Sequence, residues 1–543
     1  MKPCTALVEL TCASLLALLL ASPAEAQDQA RPDAMFLEPP VLQPNENPNT
    51  PLAASIRYVT AKPTRTELRI YDGSRSWTVE PEPECVQVHD VLLLGARADR
   101  AHEITVSVFD QNGGSWKARD PLVFVTPPLP ADFAPLHVIT SEPDQMEDGV
   151  TVFDAVSSRE TDSFIVMVDA EGEVVWYFRT PHHVGAIQQL RNGNLLYMYD
   201  RVSIVEIDML GNVVQEWYAA ALGTKGAPEG AVLVDVNAFH HDVIELPEGM
   251  AADFMALSVE MRAYPSYPTD EVEREMVLRS ANVVGDVVVA FKRDGEVVGE
   301  HAILDLIDPY RVCYDSMHDF WDPFFGTRTF DWSHGNAIVY DPADDSILYS
   351  ARHQEAVIKF GRTSNQLKWI LGTRALWGPE FAARVLRPTG VDLQWNYHQH
   401  GAKLTSNGTV IMFDNGNFRA TPPDAPMPHN RSYSRAVEYQ VDEAAGTAAQ
   451  VWAFGGPAGG GSFFSPAYGD VDLLPKTGNV LVTDANRQAG DTYPVGWARI
   501  LELTHTGSPA VVLELHLVDL DGAPPQSWSL YRSERLKSLY PGS

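Results

Sequence analysis

The sequence predicts an all-β protein: a six-bladed β-propeller preceded by a small N-terminal immunoglobulin-like β-sandwich. Three observations lead there. Short β-branched and aromatic runs are scattered evenly between turn residues, with 38 glycines and 39 prolines in 543 residues, and long helical periodicity is rare. A turn followed by a short strand recurs six times: Glu171-Gly172 then EVVWYF, Leu210-Gly211 then NVVQEW, Asp294-Gly295 then EVVGEH, Ser364-Asn365 then QLKWIL, Ala445-Gly446 then TAAQVW, and Thr506-Gly507 then SPAVVLEL. A hairpin accompanies most copies, starting near Val184, His240, His334, His400 and Gly469. Six four-strand units, none able to bury both faces alone, make a propeller of about 400 residues.

Taken in order, residues 1–26 carry Lys2, an apolar run at 15–21 and the small-residue end Ala24-Glu25-Ala26, the pattern of a cleaved signal peptide. This predicts a periplasmic or secreted protein with no membrane anchor, since no later stretch has the roughly 20 continuous apolar residues of a spanning helix. Residues 27–49 read as an extended lead-in. Strand candidates at 54–60, 66–72, 86–94, 102–110 and 122–126 suit a sandwich. Pro127-Pro128-Leu129-Pro130 then marks the expected boundary, giving a sandwich over 27–130 and a propeller with a C-terminal tail over 131–543. Between residues 300 and 332 an insertion rich in aromatics, Phe320, Trp321, Phe324 and Phe325, is expected over one mouth of the ring, and the tail 531–540 is expected to pack back onto the body. After signal removal only Cys85 and Cys313 remain; two unpaired thiols or one interdomain disulfide both fit their spacing.

The formal net charge of −32 argues against nucleic acid or an anionic membrane as partner. An anionic substrate must therefore be drawn in by a local positive site. The hairpin over 331–360 supplies one. Its first strand starts where its second strand ends, so His334 and Asn336 come near Arg352. His240 and His400 stand at matching strand starts, and the ring should bring all three imidazoles to one mouth. A lone strand histidine is usually structural; three at matching repeat positions are not so easily dismissed. Arg201, Arg262, Arg419 and Arg487, at the ends of the other hairpins, read as blade-to-blade pairs.

Other chemistry leaves little trace. Three imidazoles can hold a metal, but their spacing carries no ligand signature and Arg352 beside them disfavours a cation, so no metal is expected. No cofactor is expected either: GxxxxGK[ST] is missing, and Gly455–Ser462, GGPAGGGS, lacks the lysine of a phosphate-binding loop. No cysteine opens a C-x-P-x-R run, which excludes formylglycine sulfatase chemistry. Two sequons, at Asn407 and Asn430, read as turns.

The blocks DWSHGNAIVYDPADDSILYSARHQ, IKFGRTSNQLKWILG, QHGAKLTSNGTVIMFDNGNFR and YSRAVEYQVDEAAGTAAQVWAFG closely resemble the bacterial aryl sulfate sulfotransferases, as do FHHDVIELPEG, LVFVTPPLP and YRSERLKSLY. The resemblance implies a sandwich followed by a six-bladed propeller, a phenolic sulfate donor, a phenolic acceptor, no nucleotide donor, and a homodimer. It implies that His400 is transiently sulfated and that His240, His334, Asn336 and Arg352 support it. Family members from enteric bacteria carry a short-range disulfide near the active site, and the matching stretch here, about 379–387, has no cysteine. His398, two residues before His400, is a second candidate nucleophile. In the expected mechanism Arg352, His334 and Asn336 hold the sulfuryl oxygens, His240 or His334 moves the proton on the phenolic oxygen, and Trp332 with the aromatic insertion walls the aryl group. The alternatives are a non-catalytic ligand-binding propeller, an aryl sulfate hydrolase using the same site, and a quinone-dependent dehydrogenase, which would want a more regular repeat and a metal.

Overall fold

The computed structural model describes residues 35–540, except 83, 159–162, 222–225, 391, 458–462 and 523–524. The expected signal peptide, the start of the lead-in and most of GGPAGGGS lie outside the described residues.

One strand of 18 residues, Ala54–Tyr71, organises the N-terminal domain. Its first part pairs with Phe36–Pro44 and Val86–Leu93, its second with Ser76–Val79 and Ala101–Phe109. Alternation along it sends Ile56, Tyr58, Leu68 and Ile70 inward, onto Val91, Leu93, Ile104, Val106 and Val108. Both parts of the strand thus cover one core, and seven strands form a single hydrogen-bonded sheet around it.

Six further sheets form the blades of a β-propeller. The six repeated strands read from the sequence are the outer members of the blades' antiparallel ladders, from Val174–Thr180 in blade one to Val511–Leu517 in blade six. Blade middles are buried on both faces, so they read as continuous apolar runs: all six residues of Ser163–Val168 are buried. Neighbouring blades share cores; Leu257, Val283 and Val288 of blade three pack with Ile338, Ile358 and Ile370 of blade four. Each such side chain contributes roughly 1.5–3 kcal/mol on burial.

The tail does more than pack on the body. Ser533–Leu536 pairs with Val150–Ser157 as the innermost strand of blade one, so the last strand of the chain closes the ring against the first blade. Closure removes an exposed sheet edge. It also places Tyr531 and Arg532 at the ring's centre. The strand Leu136–Ser141, just after the proline-rich boundary, adds to the outside of blade six. Asn45, Asn47 and Thr50 bond the carbonyls of Leu210 and Gly211, and Arg97 bonds Asp169, fastening the N-terminal domain to blades two and one.

The aromatic insertion lies on blade three, where Phe320, Phe324 and Phe325 pack around Trp321 against Ala238, Val259 and Val284. Among the described residues no helix is long and apolar enough to cross a membrane, and Cys85 and Cys313 are both unpaired.

Candidate active site

The inner strands of the blades all begin at one mouth of the ring, and a cavity of about 680 Å³ opens there. Eight of the chain's sixteen histidines line it. His240, His334, Arg352 and His400 are among the lining residues, brought together from blades three, four and five. Asn336 is not: its side chain is fully buried, and its Nδ2 donates to the Gln399 carbonyl at 2.7 Å. It braces the chain immediately before His400 rather than facing the cavity.

His400 opens the inner strand of blade five. Its Nδ1 lies 2.7 Å from Asn415 Oδ1. The Asn415 amide is oriented by two bonds from its Nδ2, to the carbonyls of Ser465 and Tyr468, each 2.8 Å. Its oxygen can therefore only accept, so the His400 proton sits on Nδ1 and the Nε2 lone pair is free. Burial, then the nearby Arg352 charge, holds this imidazole well below its ordinary 6.5, so it is neutral at pH 7. Gly401 follows at φ +59, and a Cβ there would run into Asp470, which explains the glycine.

His398, the other candidate nucleophile, turns away. Its backbone is left-handed at φ +53, and the side chain is fully buried against Phe418 and His353. The backbone of Tyr314 comes near the ring, but neither nitrogen makes a well-formed hydrogen bond or reaches the cavity.

The register Gly335↔Ala351 puts Arg352 beside His334, as the hairpin argument expects. Arg352 Nη1 lies 2.5 Å from His353 Nε2, and His353 Nδ1 donates to the Asp331 carbonyl at 2.6 Å. His353 is thus a neutral acceptor that aims the guanidinium; burial first, then the neighbouring His334 and Arg352, keep it unprotonated. Its ring stacks on His334 at 4.6 Å. His334 Nδ1 lies 2.5 Å from Asp331 Oδ2, leaving Nε2 toward the cavity. Asp331, His334 and His353 have ligand atoms close enough for a metal ion, but these atoms are already spent on one another and Arg352 adds a positive charge beside them.

His240 departs from expectation. Its Nε2 lies 3.1 Å from both Asp286 Oδ1 and the Ser258 carbonyl, and its Nδ1 lies 2.8 Å from His241 Nδ1. Both ring nitrogens are engaged inside the protein. Of the expected aryl wall, Phe320 lines the cavity with its ring 4.9 Å from His334, whereas Trp332 is sealed in the core with Nε1 bonded to the Arg311 carbonyl. Phe239, Tyr199, Tyr468 and Tyr531 complete the aromatic lining, and the buried Tyr531 hydroxyl has no hydrogen-bond partner. Arg201 of blade two lies over Phe320 of the blade-three insertion at the rim, 4.4 Å from the ring. Arg262, Arg419 and Arg487, expected to pair between blades, instead pair with Asp305, Asp414 and Asp484 of their own blades, away from the cavity.

The family model described as Arylsulfotransferase (ASST) matches residues 136–515. The chain belongs to the arylsulfotransferase family. Two curated relatives are both arylsulfate sulfotransferase AssT. That of Escherichia coli O6:H1 is 39% identical over 152 residues and that of Lelliottia amnigena 36% over 152, each match covering 25% of this chain and 25% of the relative. The alignment therefore spans a quarter of the relatives' length. Among solved structures, a luciferin-regenerating enzyme aligns with 73% of this chain and 99% of its own at 9% identity and a TM-score of 0.33, too faint a likeness to bear on function.

His241, His353, Asp286 and Asn415 have no place in the sequence expectations for this arylsulfotransferase-family site. His241 and His353 each adjoin an expected residue, as the doublet His240-His241 and the pair Arg352-His353, and that adjacency is the signal available in the sequence. Asn415 stands just past the end of the hairpin that His400 opens, as Arg352 does to His334, so the same hairpin argument reaches it, whereas Asp286, one aspartate in a long strand, gives no signal.

Proposed function

We propose that the protein is an aryl sulfate sulfotransferase that works through a sulfated His400. The observation that carries this is the imidazole itself: neutral, locked with its proton on Nδ1 against Asn415, and presenting Nε2 to a cavity that also holds Arg352. A phenyl sulfate is an anion, and in a chain of net charge −32 the buried Arg352 supplies the local attraction it needs.

His400 Nε2 attacks sulfur, the N–S bond forms as the S–O bond to the phenol breaks, and the departing phenolate takes up a proton. A second phenol then gives up its proton and attacks the same sulfur, the N–S bond breaks, and His400 returns neutral. Arg352 and His334, from the neighbouring blade, face the non-bridging oxygens, where preorganised donors are worth on the order of 3 kcal/mol each. In-line displacement sets the phenolic oxygen opposite His400. Its proton must therefore be handled from across the cavity. A covalent relay of this kind gives ping-pong kinetics. The aromatic lining keeps water from the sulfohistidine; with water admitted, the same site would hydrolyse its substrate. We further propose export to the periplasm or medium, with the mature chain beginning at Gln27.

The test is steady-state turnover of 4-nitrophenyl sulfate with phenol and no nucleotide. The proposal expects nitrophenol release that depends on phenol, with parallel double-reciprocal lines. No turnover would leave a ligand-binding propeller, and release indifferent to phenol would make the protein a hydrolase.

A further inference from the structure

We propose that His241 is the acid–base catalyst for the phenolic oxygen, with His240 and Asp286 behind it as positioning residues that take up its charge. This rests on the sulfuryl-transfer reading of the cavity and assigns the proton step within it.

The ring of blades sets the geometry. His334 precedes the inner strand of blade four, next to blade five and His400, whereas His241 precedes that of blade three, two blades away. Of these two imidazoles, His241 is the one further round toward the side where an in-line leaving oxygen must stand. It lines the cavity with its backbone left-handed at φ +58, and it faces His334 at 4.7 Å, Tyr531 at 6.1 Å and Phe320 at 6.2 Å between ring centroids. The Arg532–Asp242 ion pair, 2.8 Å, lies beneath.

The hydrogen bonds behind His241 make it a switch between acid and base. Asp286 Oδ1 and the Ser258 carbonyl can only accept, so His240 Nε2 carries a hydrogen. His240 Nδ1 and His241 Nδ1, 2.8 Å apart, then share one proton. With the pair neutral, His241 Nδ1–H donates to His240 and His241 Nε2 is a bare base toward the cavity. With one proton more, His240 is an imidazolium donating from Nδ1, and His241 Nε2 bears the hydrogen of a general acid.

The proton balance of the reaction follows. As the acceptor's oxygen bonds to sulfur, its proton moves to His241 Nε2, the Nδ1 proton of His241 moves to His240 Nδ1, and the positive charge comes to rest beside Asp286. Donor cleavage runs the same shift backwards and delivers the proton to the leaving phenolate. Asp286 is suited to receive that charge. Burial would raise it, but His240, Ser333 and Tyr349 hold it below the usual carboxylate range, with a further bond from Gly335 N at 2.7 Å. His241 itself is held well below 6.5 by burial and then by His334 and His240, so once its proton has gone to the leaving phenolate it is the base that meets the acceptor. His240 has no nitrogen left for substrate.

The experiment separates the two half-reactions in His241→Gln, His241→Ala and Asp286→Asn. 4-Nitrophenyl sulfate releases a phenolate acidic enough to leave unprotonated, so adduct formation on His400 should stay within about threefold of wild type, while transfer to phenol slows about 10²- to 10⁴-fold. That deficit should shrink with more acidic acceptor phenols, and added imidazole should restore part of the His241→Ala rate. Asp286→Asn should show the same split, smaller. A normal adduct also shows that a variant is folded. Unchanged transfer, or loss of both steps in equal measure in both His241 variants, overturns the assignment. A wild-type protein that forms no adduct overturns the sulfuryl-transfer reading itself, whereas a wild type that does, beside an indifferent His241→Gln, overturns this inference alone.

Discussion

His398 and His400 stand two residues apart at the start of blade five, and the fold uses them in opposite ways. His400 has a fixed partner in Asn415, one bare nitrogen, and a cavity in front of it. His398 is sealed between Phe418 and His353 with no well-formed bond to either nitrogen. Both imidazoles are pushed well below 6.5, burial being the larger cause in each. A depressed pKa therefore does not tell the two apart. An oriented ring with one nitrogen left over and somewhere to point it does, and on that difference the proposal puts the nucleophile at His400.

The largest effect belongs to His400→Ala, which should lose transfer by more than about 10³-fold, because the covalent route is removed. Arg352→Met should slow adduct formation about 10²- to 10³-fold. It should also move the acid limb of the pH profile upward. Protonation removes the His400 lone pair; in the wild type the limb lies below pH 6.5, and losing a charge that lowers the imidazole raises it. Asn415→Leu frees the tautomer and should slow adduct formation about tenfold to a hundredfold with little change in KM. His398→Leu should leave turnover within about threefold of wild type, since it removes a group that faces no substrate.

His398→Leu should still leave a mark on stability. His241, His353, His398 and His400 all have folded-state pKa values below the unfolded one. Below about pH 6.5 the unfolded chain binds protons that the native protein refuses, so stability falls as pH falls. Thermal melts between about pH 7.5 and about pH 5.5 should show a Tm loss that is smaller in His398→Leu. An equal loss in both proteins would mean that His398 is not held neutral.

The fold was legible because its signal is repeated. The six turn-and-strand copies are the outer strands of blades, whose aromatic and β-branched side chains fill the spaces between sheets, and packing of that kind writes itself into local sequence. The meeting of His240, His334, Arg352 and His400 followed from hairpin geometry and ring closure. What local pattern could not give was the direction of each ring. Period-two alternation puts His398 and His400 on one face, but it fails where the backbone is left-handed, as at His241, His334 and His398. One partner was hidden for a related reason. Asp286 meets His240 across two strands of blade three, a pair with no local spacing to find, whereas Asn415 stands to His400 as Arg352 does to His334, past the end of the same hairpin.

The most direct measurement is intact mass with peptide mapping after mixing the protein with an aryl sulfate and no acceptor. One sulfuryl adduct is expected, located on His400, present in His398→Leu, absent in His400→Ala and discharged by phenol. An adduct that survives in His400→Ala, or one that maps to His398, would rule out the relay through His400.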